Sequence, residues 1–160
     1  MNSEFPEALK INNRTKLSTN EFKDNDKLYH AFSSEDLSDD GVIEVNSIRF
    51  PDFSCNWGRF SKPGHVRFRK NGNMTDGCYS FTVLTSRYKE IATPVHDPID
   101  DEFFPNYSHV EVRELYGGEN VLLEPPKNRK KKKSSKGRRL EYRKNLLNNI
   151  EIELEIVGAI

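Results

Sequence analysis

The stretch IEIELEIV, residues 150–157, alternates apolar and acidic side chains without a break. Neighbouring side chains of a β-strand point to opposite faces, so Ile150, Ile152, Leu154 and Ile156 make one face and Glu151, Glu153 and Glu155 the other. Just before it the period changes. From Arg138 onward, Leu140, Leu146, Leu147 and Ile150 recur at helical intervals. A helix running straight into an alternating strand, at the end of a chain rich in short strand signals, reads as an α+β fold. We expect a mainly antiparallel sheet of six to eight short strands with one C-terminal helix packed on a face.

Working outward from that stretch, HVEVREL (109–115) alternates again, with Val110 and Val112 on one face and Glu111 and Arg113 on the other. YSFTVL (79–84) is the most continuously apolar segment and is expected in the middle of the sheet. HVRFRK (65–70) and CYSFTVL (78–84), joined by NGNMTDG, read as a hairpin with a long turn. KLYHAF (27–32), VIEV and SIRF (42–50), and VLLE after YGGEN complete the strand candidates. PDFSCNWGRFSKPG (51–64) and ATPVHDPIDDEFFPNYSH (92–109) carry prolines and turn formers and read as loops, the first packed through Phe53, Trp57 and Phe60. Residues 1–26 show no sustained period and read as an irregular N-terminal arm. Residues 27–160 read as a single domain, interrupted by a basic flexible segment at 127–137.

The chain has 160 residues and equal numbers of basic and acidic side chains, 25 each, but the charge is not evenly spread. Residues 127–144 hold Lys127, Arg129, Lys130, Lys131, Lys132, Lys133, Lys136, Arg138, Arg139, Arg143 and Lys144 against one acid, Glu141, a sum of +10. The remaining 14 basic and 24 acidic residues sum to −10. A cationic stretch of this density neutralises phosphates and releases counterions without reading base sequence. Those eleven residues are therefore the candidate nucleic-acid contacts, with DNA or RNA as the expected partner and a protein partner in a larger assembly beside it. The lysine run of the stretch, residues 127–137, lacks interleaved Trp, Phe or Leu, which argues against a membrane surface. No apolar run reaches the length of a membrane span, and the N-terminal residues lack the apolar centre of a secretory signal. The expected location is the cytoplasm, where Cys55 and Cys78 are free thiols.

Four histidines, His30, His65, His96 and His109, make no recognised metal pair, so no metal and no cofactor is expected. DLSDDG (36–41) has the opening of a calcium loop, but its twelfth position is Ser47 rather than a bidentate Glu. The alternative to a binding role is an enzyme acting on a nucleotide or small phosphorylated substrate. In it, His30 and His109 supply acid and base, Arg49 steadies an anion and Asn56 assists. A third possibility is a protein–protein adaptor that pairs through the strand at 150–157.

SIRFPDFSCNWGRFSKPG (47–64) and HDPIDDEFFPNYSHVEV (96–112) resemble a group of short bacterial proteins of unknown role. The resemblance spans about residues 28–113. It implies a compact bacterial domain and carries no activity with it. The basic stretch lies outside it. On these grounds the sequence points to a binding component that contacts nucleic-acid backbones, rather than to an enzyme.

Overall fold

The computed structural model describes residues 5–116, 121–122 and 136–158. It is an α+β fold around one antiparallel sheet. Strands β1 (Lys27–Phe32), β2 (Asp52–Trp57), β3 (Gly77–Thr82), β4 (Ala92–His96), β5 (His109–Tyr116) and β7 (Glu151–Leu154) lie in the order β4-β5-β2-β1-β3-β7. A two-residue strand, β6 (Val121–Leu122), pairs with the end of β5. Helix α1 is a single turn, Val83–Ser86, and α2 runs Lys136–Leu147.

Directly paired residues share a face of the sheet. Tyr29 pairs with Asn56, and Asn56 with His109. His30 pairs with Tyr79 and Cys55 with Val110. One face therefore carries Leu28, Phe32, Phe53, Cys55, Trp57, Tyr79, Phe81, Val110 and Val112, all buried in the main core together with Tyr142 and Leu146 of α2. The other face carries Tyr29, Ala31, Ser54, Asn56, Cys78 and His109, and only a small apolar cluster of Ala31, Val66 and Cys78. Both cysteines are buried free thiols.

Several expectations need correcting. β2 is a central strand formed by residues that read as a loop. Phe53, Cys55 and Trp57 do alternate with Asp52, Ser54 and Asn56, but Pro51, Gly58 and Pro63 obscured the pattern. Residues Pro63–Arg67 form a 3-10 turn with Pro63 at its start, so 65–70 is no hairpin partner, and β3 pairs with β1 and β7 instead. β3 lies next to the outer strand β7 rather than mid-sheet. Val45–Ser47 is a 3-10 turn, and residues 92–96, read as part of a loop, form β4. Gly77 opens β3 because a Cβ there would meet the Phe32 ring at 2.5 Å. The N-terminal residues hold two short 3-10 turns, Glu7–Leu9 and Thr19–Glu21, and are stitched to the body. Leu9 and Phe22 are buried, Phe22 stacks on Trp57 with ring centroids 3.9 Å apart, and the Trp57 indole N–H donates to Asp26.

The clean alternation at 150–157 yields a strand of four residues. Two of its acidic side chains reach back across the sheet. Glu151 and Glu153 reach over β3 to the Lys27 ammonium at 3.4 and 3.0 Å, and Ser80 donates to Glu153. Ile152 is left 46% exposed on the outermost strand.

Glu114 of β5 follows a run of ordinary strand alternation, yet it lies on the core face with no exposure to water. The Arg139 guanidinium takes both its carboxylate oxygens, at 2.6 to 3.2 Å, and Arg138 approaches to 3.8 Å. Arg143 donates to the Ile48 carbonyl at 2.7 Å, and Arg139 and Arg143 both lie over the Phe50 ring. Tyr142 donates to the Ser86 carbonyl. A buried carboxylate whose partners are removed costs about 3–5 kcal/mol. The double substitution Arg138→Gln/Arg139→Gln is expected to lower unfolding free energy by that order, read from urea midpoints at pH 7. Adding Glu114→Gln should recover part of it.

Candidate functional site

The expected nucleic-acid contacts divide into three sets. Lys127, Arg129, Lys130, Lys131, Lys132 and Lys133 lie outside the described residues. Lys136 and Lys144 are exposed on α2. Arg138, Arg139 and Arg143 are turned toward the protein's own acceptors, and Glu141 is taken up by Lys89 at 2.6 Å and by the Tyr88 hydroxyl. Three of the eleven cations therefore fasten α2.

Of the alternative catalytic set, His30 and Arg49 line one cavity, and His30, Asn56 and His109 line another. The sheet register sets His30 and His109 on opposite faces, although both residues border the smaller cavity. His30 packs its ring on Phe53 and Tyr79, at centroid distances of 4.1 and 5.3 Å. Its Nδ1 lies 2.7 Å from the Ser54 carbonyl. A carbonyl only accepts, so this contact fixes the proton on Nδ1 and leaves Nε2 as an acceptor. The same logic applies to His109, whose Nδ1 donates to the Asp97 carbonyl at 2.7 Å. His96 is saturated, accepting from the Leu17 N–H and donating to the Tyr107 carbonyl. His65 accepts from the Lys62 N–H to close the 3-10 turn.

The second face of the sheet carries a groove beneath residues 63–76, and it has two chambers. The larger holds about 720 Å³. Its walls are hydroxyls, amides and charges: Ser33, Ser47, Ser54, Asn71 and Asn73, with four carboxylates (Glu35, Asp36, Asp52, Asp76) against two arginines (Arg49, Arg69). Arg69 is paired with Asp76 at 2.9 Å, and Asp36 caps the backbone N–H of Ser33. The smaller recess holds about 180 Å³ and has mostly apolar walls, including Val66, Phe68 and Ile99. His30, Ala31, Ser54 and Arg69 border both chambers, so they adjoin. Alternate β2 residues run from one to the other: Asp52 and Ser54, then Asn56.

The polar groups of the recess are held in a buried network. Asn106 donates to Asn56 at 2.8 Å, Asn56 donates to Ser61, and Ser108 donates to Asn106 through both its N–H and its hydroxyl. His109 sits beside them at 8% exposure. Its Nε2 meets no hydrogen-bonding partner among the described residues. Residue type singled out Asn56 and His109 in the sequence but missed Asn106, Ser61 and Ser108. Their signal is the short PNYSH segment, where Asn and Ser directly precede the candidate His.

Asp97, His109 and Glu111 bring three potential ligand atoms within 4.8 Å of one another. Arg113 already holds Glu111 through two hydrogen bonds of 2.7 and 3.0 Å, and His109 spends Nδ1 on the Asp97 backbone. Both commitments weaken the trio as a cation site. Comparison with protein-family models, with curated proteins and with solved structures returns no match. Among the described residues, no helix is long and apolar enough to cross a membrane.

Desolvation pushes the His30 pKa down to about 4, against which its hydrogen bond to Ser54 is the smaller effect. The unfolded chain takes up this proton near pH 6.5, while the folded protein resists it until about pH 4. Stability from this group is thus full above pH 6.5 and is lost as pH falls toward 4. With His30 partly accessible, we expect the loss to be about 1–2 kcal/mol. His30→Gln should flatten the dependence of urea midpoint on pH across that window. An unchanged slope would remove His30 as its source.

Proposed function

We propose that the protein is a small-molecule binding component whose ligand occupies the two-chambered groove on the second face of the sheet. The observation that carries this reading is the recess. The Nε2 of a nearly buried imidazole, without a hydrogen-bonding partner among the described residues, lies beside a polar network in a mostly apolar wall. Binding sites combine apolar walls with a few placed polar groups in this way, because burying polar atoms without a partner is costly. The two histidines lie on opposite faces of the sheet, and each has its Nδ1 tied to a backbone carbonyl, which favours binding over two-histidine catalysis. α2 then serves as a strap on the core side that leaves the second face free.

Titration of isotope-labelled protein with a mixture of heterocyclic and polyol fragments tests the reading. We expect amide shifts at Tyr29, Asn56, Val66, Asn106 and His109, and at least tenfold weaker binding in His109→Gln. Shifts confined to other surfaces would overturn it.

A second reading keeps the nucleic-acid contact but confines it to residues 127–136. Seven of these ten are basic and none is acidic, whereas the arginines of α2 are engaged within the fold. Replacing Lys130–Lys133 with serine should abolish binding of labelled RNA or DNA and flatten its salt dependence, by about 0.7–0.9 in log–log slope for each phosphate no longer neutralised. Arg143→Gln should leave both unchanged. Binding that ignores salt would remove this reading.

A further inference from the structure

Resting on the groove as a ligand site, we infer that its ligand is an uncharged nucleoside, with the base in the recess and the sugar in the larger chamber, and that phosphorylated forms are selected against. The recess is well below the volume of a site that encloses a whole drug-sized molecule, so it takes one ring system and not the entire ligand. Its walls suit a flat heterocycle: Val66, Phe68 and Ile99 offer apolar contact, and Asn56 and Asn106 offer amide edges already held in place. His109 Nε2 asks for a donor, which a ring N–H or an exocyclic amine supplies. A purely hydrocarbon ring would leave that acceptor without a donor while displacing the water it can reach.

The larger chamber sets what is attached to the ring. Serine hydroxyls, asparagine amides and carboxylates are suitable partners for the vicinal hydroxyls of a sugar, since carboxylates accept from O–H groups and form the stronger class of hydrogen bond. The balance of charge argues against a phosphate. Two arginines face four carboxylates, and Arg69, which stands at the junction of the chambers, is held by Asp76. Arg49 is exposed at the rim and makes no hydrogen bond or ion pair among the described residues. With Arg69 and Asp76 offsetting one another, one exposed cation does not offset three carboxylates around a dianion, because like charges brought into a cavity repel more strongly than in open water. A neutral ligand avoids that cost.

The experiment is a titration of the full chain with the common ribonucleosides, their 5′-monophosphates, free ribose and the fragment mixture, read by calorimetry and by amide shifts. We expect at least one nucleoside to bind tenfold or more tightly than its monophosphate, with shifts at His109 and Asn106 and at Ser33 and Asn71 together. Glu35→Gln, an exposed side chain of the chamber, should narrow that ratio at least threefold. Monophosphates binding as tightly as nucleosides, or tighter, would overturn the inference and leave the groove reading standing. Fragments shifting the groove while every nucleoside fails would do the same. No shift in the groove with any compound would end both. The ligand series alone decides between these outcomes, even if the variant does not fold.

Discussion

On the core face of β5 a carboxylate is sealed from water, and guanidinium groups from a helix twenty-five residues further along close over it. Much of the architecture depends on this arrangement. A charge is retained in such a place only if its partner arrives with it, in good geometry. Arg139 supplies a two-pronged contact, and Arg143 holds the Ile48 carbonyl while both guanidiniums cover Phe50. The seating of α2 is therefore specified by polar geometry as much as by its two buried apolar residues, Tyr142 and Leu146. A helix with so short an apolar face has little else to fix its rotation. Leu140, which the helical spacing placed on the inner face, is 42% exposed.

The same clamp marks the limit of what the sequence could disclose. The alternation in β5 was legible because Val110 and Val112 face a core while Glu111 and Arg113 satisfy one another on the far side. Period two puts Glu114 on the face of Val110 and Val112, but what holds a carboxylate there is a partner distant in sequence, of which local pattern carries no trace. For the same reason a count of cations could not separate the arginines that anchor from the lysines that do not. β2 was hidden differently. Its period-two pattern is intact, but flanking prolines and glycines outweighed it, and Ser54 and Asn56 were read as turn formers when they are the polar wall of a groove. The segment 65–70 misled in the opposite direction, since its alternation belongs to a 3-10 turn started by Pro63. Asn56 and His109 could be named from residue type. Their meeting on one face follows only from strand register, as does the separation of His30.

The two faces of the sheet have distinct tasks. One is filled by aromatic and branched side chains and closed by α2. The other keeps polar residues beneath the loop of residues 63–76, itself held by Arg67 to the Asp76 carbonyl and by Arg69 to its carboxylate. His96 joins the N-terminal arm to the strand leading into the recess, with one ring nitrogen on Leu17 and the other on Tyr107. The arm, though irregular, thereby braces the segment that presents Asn106 and Ser108. Tyr107 adds its own hydroxyl contact to the Thr15 carbonyl.

The link between α2 and β7 is only three residues, 148–150, and Asn148 and Asn149 continue the helical bonding into it. Helix and strand are therefore joined as one unit over residues 136–154, and each end of it is fastened by charge: Arg139 to the buried Glu114, and Glu151 and Glu153 to Lys27 of β1.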